Sequence, residues 1–206
     1  MLSSVSSRLS RSLCALPTLT KACFSFGLLG PRSLSELTNL PLLKVESTDT
    51  VKTIWEEYHK DQNEALGITL TPQETDKLIR RGREASLFLY PSFREEKSQY
   101  FILMSQFQDS FFFMTYLENY KRDPQNATPW FSLSLFRDLE AQKNVTLVRV
   151  DFLSQYIPKA SAERITSLLM QSYLDDDVFS KFTRTFNHDP NTFDFQQMIE
   201  WAQRTK

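Results

Sequence analysis

The chain has 206 residues, 41% hydrophobic and 24% charged, with a formal net charge of −1. That balance describes an ordinary folded domain and gives no electrostatic reason to bind nucleic acid. No run of 18 apolar residues occurs, so no segment reads as a membrane-spanning helix.

Segment 1–35 differs from the rest. It has no Asp or Glu, nine serines, the bases Arg8, Arg11, Lys21 and Arg32, and both cysteines, Cys14 and Cys23. A basic, Ser-rich, acid-free leader reads as a mitochondrial transit peptide. A secretory signal is the rival, but it needs an unbroken apolar stretch, and here bases recur throughout. A disordered tail is the third reading. On the transit-peptide reading, 36–206 is a single domain. Setting aside those four bases leaves 20 against all 25 acids, a mature net charge near −5.

The first helix is expected at about 48–65, where Val51, Ile54, Trp55 and Tyr58 make one apolar stripe. A second opens at "TPQE", with Thr71 as cap, Pro72 in the first turn and Glu74 closing a capping box, and runs to about Arg83. The period then changes to two, and strands are expected at 86–90, 99–107 and 110–118, the last pair joined at Gln108-Asp109. A polar loop, "NYKRDPQNATP", precedes a short helix at about 132–142 carrying Leu133, Phe136 and Leu139. "NVTLVRVDF", 144–152, reads as a strand. Ser161 is expected to cap the helix bearing Ile165, and "VFSKFTRTF" alternates like a half-exposed strand. The last helix starts at Asp194, with Gln197 completing the cap and Phe193 stapled to Met198. The sum is an α+β fold: one domain, a largely antiparallel β-sheet and helices packed on it.

Segment 36–206 holds no cysteine, which excludes disulfides, thiolate nucleophiles and cysteine-ligated zinc. His59 and His188 are its histidines, both read as solvated. Gly67 and Gly82 are its glycines, too few for a phosphate-cradling loop. Asp175-Asp176-Asp177 reads as a solvated turn beyond a helix end, with a partner-facing acidic patch or a metal site as the sharper alternatives. Neither a catalytic constellation nor a cofactor is expected.

The hairpin stretch "SQFQDSFFFMTYLENY" is apolar on both sides. Phe111 and Phe113 point one way, Phe112, Met114 and Tyr116 the other. Burial of both faces is one reading. The other leaves one face partly open for a protein partner, with Gln106, Phe107, Phe111, Phe112, Phe113 and Tyr116 as candidate contacts.

Four stretches in order, "VKTIWEEY" at 51–58, "FLYPSFREEKSQYFILMSQF" at 88–107, "LSLFRDLEAQKNVTLVRVDF" at 133–152 and "FNHDPNTFDFQQMI" at 186–199, resemble the mitochondrial assembly factors of the Atp-eleven type. The Phe-Asn-x-x-Pro-x-x-Phe spacing is the most specific piece. The resemblance implies a matrix chaperone without catalysis. It would bind the β subunit of the ATP synthase catalytic head until the α subunit displaces it. The free protein is expected to be a monomer. It assigns no site residue by position. Two alternatives stand beside it: a small-molecule-binding or hydrolytic α+β domain, and a permanent subunit of a mitochondrial complex.

Overall fold

A computed structural model describes residue 30 and residues 32–93 and 99–205. Most of the segment read as a transit peptide, residues 1–29, lies outside this range. Three helices come first: α1 (Leu34–Leu37), α2 (Leu40–Val45) and α3 (Thr48–Lys60). Then follow β1 (Ala65–Leu70), α4 (Pro72–Glu84), β2 (Leu87–Phe93), β3 (Tyr100–Gln108), β4 (Phe111–Tyr116), α5 (Leu117–Arg122), β5 (Pro129–Phe136), α6 (Glu140–Lys143) and β6 (Thr146–Phe152). The chain continues through α7 (Lys159–Leu174), α8 (Asp176–Val178), a π-helical turn (Phe179–Arg184), α9 (Thr185–His188) and α10 (Phe195–Arg204).

The strands form one antiparallel sheet in the order β1-β6-β5-β4-β3-β2. Its two faces carry different loads. One holds Phe88 and Tyr90 of β2, Phe107 of β3, Phe112 and Met114 of β4, Leu133 of β5 and Val148 and Val150 of β6, all buried in the main core. Helices α4 and α7 cover this face. Tyr173 of α7 meets Phe112 at 5.0 Å, and the hydroxyls of Tyr90 and Ser172 stand 2.5 Å apart. Gly82 lets α4 come close, because a Cβ there would lie 2.7 Å from the ring of Phe107. The opposite face holds Gly67, Arg149, Leu147 and Phe136 at the β1–β6–β5 end, where α1–α3 add a second core of Leu34, Leu43, Val51 and Trp55. The indole N–H of Trp55 donates to the backbone of Val148 at 3.0 Å, tying α3 to the sheet.

The structure is the expected α+β fold, with several local corrections. Residues 129–136 form a strand, not the start of a helix. Leu133 and Phe136 fit a helical spacing, but Phe131, Leu133 and Leu135 alternate with Ser132 and Ser134, and β4 and β6 claim this period-two pattern from both sides. Only Glu140–Lys143 is helical. Segment 178–186 is helical, not a strand. Phe179, Phe182, Thr183 and Phe186 are its buried residues, a spacing that wraps a helix around one face. Helix α7 starts at Lys159 after Pro158, so Ser161 sits inside its first turn. The hairpin turns at Asp109-Ser110, where Asp109 takes a positive φ of 56°. In α3 the buried stripe is Val51, Trp55 and His59, while Ile54 and Tyr58 face solvent. His59 is therefore a core residue, only 1% exposed.

Two of the three expected caps form, and Ser161 does not serve as one. Thr71 and Glu74 form a capping box, and the Asp194 carboxylate accepts from the N–H of Gln197 at 3.0 Å. Helix α7 stops before the acidic run. Asp175 caps α8 by accepting from Val178 N–H at 2.9 Å. Asp176 pairs with Arg81 at 2.5 Å and Lys77 at 2.7 Å, and these two donors hold its carboxyl below the usual range.

Candidate partner-binding surface

The six hairpin candidates do not share one surface. Phe112 is fully buried between Phe107, 4.7 Å away, and Tyr173. Phe107 lies under α4, and Phe113, on the opposite face, is 2% exposed. Burial removes these three from any surface this conformation presents. Phe111 and Gln106 are half-buried on the same face as Phe113, and Phe111 stacks beside Phe113 at 6.0 Å. Among the described residues the Nε2 of Gln106 is buried without a hydrogen-bond partner.

Tyr116 leads elsewhere. Its half-buried ring stacks on Trp130 at 5.1 Å and 11°, and Trp130 stacks on Tyr156 at 4.1 Å and 13°. Phe101 meets Tyr116 and Trp130 edge-on, at 6.0 and 5.9 Å. The backbone explains the convergence. A register shift between Met114 and Thr115 sets Trp130 out of the β4–β5 ladder, and Leu153 N–H holds the carbonyl of Trp130 at 2.9 Å just before the turn carrying Tyr156. The ladder runs from the half-buried Tyr116 and Trp130 to Tyr156, which is 44% exposed. Beside it lies an open groove of about 500 Å³, bordered by Arg122, Asp123, Thr128 and Gln155.

Stacked aromatics with a polar rim suit protein contact, because the rings supply rigid area at low entropic cost. Sequence reasoning found Tyr116 and missed Trp130 and Tyr156. The signal was a tryptophan directly after a proline at the end of a polar loop, where no core position was expected. Further apolar surface stands on α2 and α3, with Leu42 61%, Val45 80%, Ile54 44% and Tyr58 56% exposed.

The most specific sequence motif has a structural role. Phe186 and Phe193 pack edge-on against each other at 5.1 Å and against Phe88, and Asn187 between them bonds to the backbone of β2. Among the described residues no group of three His, Cys, Asp or Glu side chains could hold a metal, and no helix is long and apolar enough to cross a membrane.

The chain is 22% identical to ATP synthase mitochondrial F1 complex assembly factor 1 of Homo sapiens over 88% of its own length, and 21% identical to that of Mus musculus over the same share. The Danio rerio protein of that name is 20% identical over 82% of the chain. The chain spans about half the length of these relatives, 55% in each case. The model of the ATP11 protein family matches residues 29–199. This match covers most of the chain, including the motif that clamps β2, so the chain belongs to the ATP11 protein family.

Proposed function

We propose that this protein assists assembly of the mitochondrial F1 ATP synthase head by holding the free β subunit until the α subunit replaces it. The observation that carries the reading is the family match over residues 29–199, with relatives named as F1 complex assembly factors. The role is binding, not catalysis, and the site is the mitochondrial matrix. The client is proposed to dock on the Tyr116–Trp130–Tyr156 ladder, with Phe111 and Gln106 as candidates on a second contact area. Phe107, Phe112 and Phe113 are buried and are left out of the proposed contact.

The acid-free leader is proposed to direct import and then be removed. Leu34 is 1% exposed in the core beneath α3. Processing upstream of Ser33 preserves that anchor, which narrows the expected end of the leader.

Separately purified α and β subunits test the reading. Immobilised chain should retain β alone, retain little α, and release β when α is added. Retention of α instead of β, or of neither, would overturn it.

A further inference from the structure

The two edge strands of the sheet end differently. On β2, Phe107 N–H bonds to Ser86 C=O, so the register turns the backbone N–H and C=O of Leu87 and Leu89 and the C=O of Pro91 away from β3. That edge is blunted. Asn187 accepts from Leu87 N–H at 3.1 Å and donates to Leu87 C=O at 2.6 Å, as a neighbouring strand would, and Pro91 has no N–H to offer.

On β1, Phe152 N–H bonds to Glu64 C=O, which turns Leu66, Ile68 and Leu70 toward β6 and the backbone of Ala65, Gly67 and Thr69 outward. Among the described residues no group pairs with the outward backbone N–H and C=O of Gly67 or Thr69. The edge is also accessible. Leu66, Gly67 and Ile68 form the floor of a groove of about 450 Å³ between α3 and the start of α7. Unpaired strand groups in a groove are a template for an added strand.

The walls select the occupant. Glu56 and Glu57 of α3 and Glu163 of α7 line the groove with Lys60 and Lys159. Lys159 is turned away onto the carbonyls of Lys60 and Gln62, at 2.5 and 2.8 Å, and Lys60 pairs with Glu57 at 3.4 Å. With Lys60 on Glu57 and Lys159 on backbone carbonyls, Glu56 and Glu163 are, among the described residues, the lining carboxylates without an ion-pair partner, and they make the groove acidic toward a visitor. A second copy of this chain pairing β1 to β1 would set these carboxylates against themselves.

We infer that the β1 edge takes a seventh strand from a partner protein, an extended segment that alternates basic and apolar residues. Its apolar side chains lie along Leu66 and Ile68, and its basic ones reach Glu56. The new strand bonds to the backbone of Gly67 and Thr69. This goes beyond the assembly reading and does not depend on which partner supplies the strand.

The test uses the full chain and a fluorescein-labelled peptide of alternating lysine and valine, KVKVKVK, read by anisotropy and amide exchange. Binding should slow exchange at Gly67 and Thr69 and leave the already paired Leu66 and Ile68 unchanged. Thr69→Pro removes an outward N–H without touching the β6 ladder and should abolish binding. Glu56→Lys with Glu163→Lys, both on exposed helix positions, should weaken it about tenfold. That double variant and a peptide N-methylated at alternate residues keep the test open if Thr69→Pro fails to fold. The inference falls if the peptide does not bind, or if EVEVEVE or the N-methylated form binds equally well. It also falls if Gly67 and Thr69 stay unprotected, or if the chain alone protects them by pairing with itself.

Discussion

The imidazole of His59 occupies the space a side chain on residue 67 would need: a Cβ built on Gly67 falls 2.4 Å from Nδ1 of His59. Helix α3 can lie this close to β1 only because position 67 is bare. Gly67→Ala should therefore cost about 1–3 kcal/mol through overpacking. In a His59→Ala background the same change should cost less, with a coupling of at least ~0.5 kcal/mol. Urea midpoints of the four proteins decide it. Additive costs would mean that the contact is not the source.

The same histidine gives a pH dependence. Its Nδ1 lies 2.7 Å from the carbonyl of Trp55, which can only accept, so Nδ1 carries the proton. Nε2 then accepts from Arg149 at 3.2 Å, and Arg149 is held by Asp151 at 2.8 Å. Burial first, and the Arg149 charge in addition, push the imidazole pKa down, against the Trp55 hydrogen bond and the Asp151 carboxylate. A folded pKa below the unfolded one means that the unfolded chain takes up the proton first. Stability is then full above about pH 6.5 and is lost as pH falls toward the folded value. His59→Gln should flatten this limb between pH 7.5 and 5.5. An unchanged slope would assign the acid sensitivity to other groups.

Trp55 is 3% exposed and bonds to Val148, so Trp55→Ala should cost about 3–5 kcal/mol. Trp55→Phe keeps most of the apolar area and loses the indole donor, and should cost less. Unmoved denaturation midpoints for Trp55→Ala would show that α3 is not anchored by this ring.

Where sequence pattern and tertiary demand agree, the chain was legible. Thr71, Glu74 and Asp194 announce their helix starts because a cap is a local hydrogen bond. The hairpin was legible in its alternation. Residues 129–136 and 178–186 were not, because aromatic and aliphatic residues at mixed spacings of two, three and four satisfy both periods, and the neighbouring elements decide. His59 was misplaced because its polarity outweighed its i,i+4 spacing from Trp55, and only the bare Gly67 opposite makes room for it. The aromatic ladder depends on a register shift near the end of β4, which no local pattern reports.

Asn187 stands in for a strand along β2, bonding to both backbone groups of Leu87 and to the carbonyl of Thr183 at 2.8 Å. Asn187→Ala strands two half-buried backbone groups and should cost about 1–3 kcal/mol. It also bares the edge beside Leu87, so the variant should aggregate more readily on mild heating. Asn187→Asp keeps the acceptor for Leu87 N–H but sets a carboxylate against Leu87 C=O, and should be nearly as costly. Light scattering and thermal midpoints check both. A variant as stable and soluble as the parent would show that the edge needs no cap.

The proposed docking ladder allows folding and client capture to be tested separately. Tyr156 is its exposed end, so Tyr156→Ser should leave the thermal midpoint nearly unchanged and weaken capture of the β subunit about tenfold, as a hot-spot ring would. Trp130 is the middle rung and touches both neighbours, so Trp130→Ala should lower stability and capture together. Phe112→Ser is the contrast: a fully buried ring lost from the core should unfold the domain before any effect on binding can be read. Calorimetry and β-subunit retention, measured on the same preparations, place each variant. If Tyr156→Ser retains β as well as the parent does, the ladder is not the docking surface. The exposed Ile54 and Tyr58 of α3 then become the next residues to vary. If Tyr156→Ser lowers the thermal midpoint as far as Trp130→Ala does, the outer rung belongs to the core, and weaker capture would report unfolding, not a lost contact.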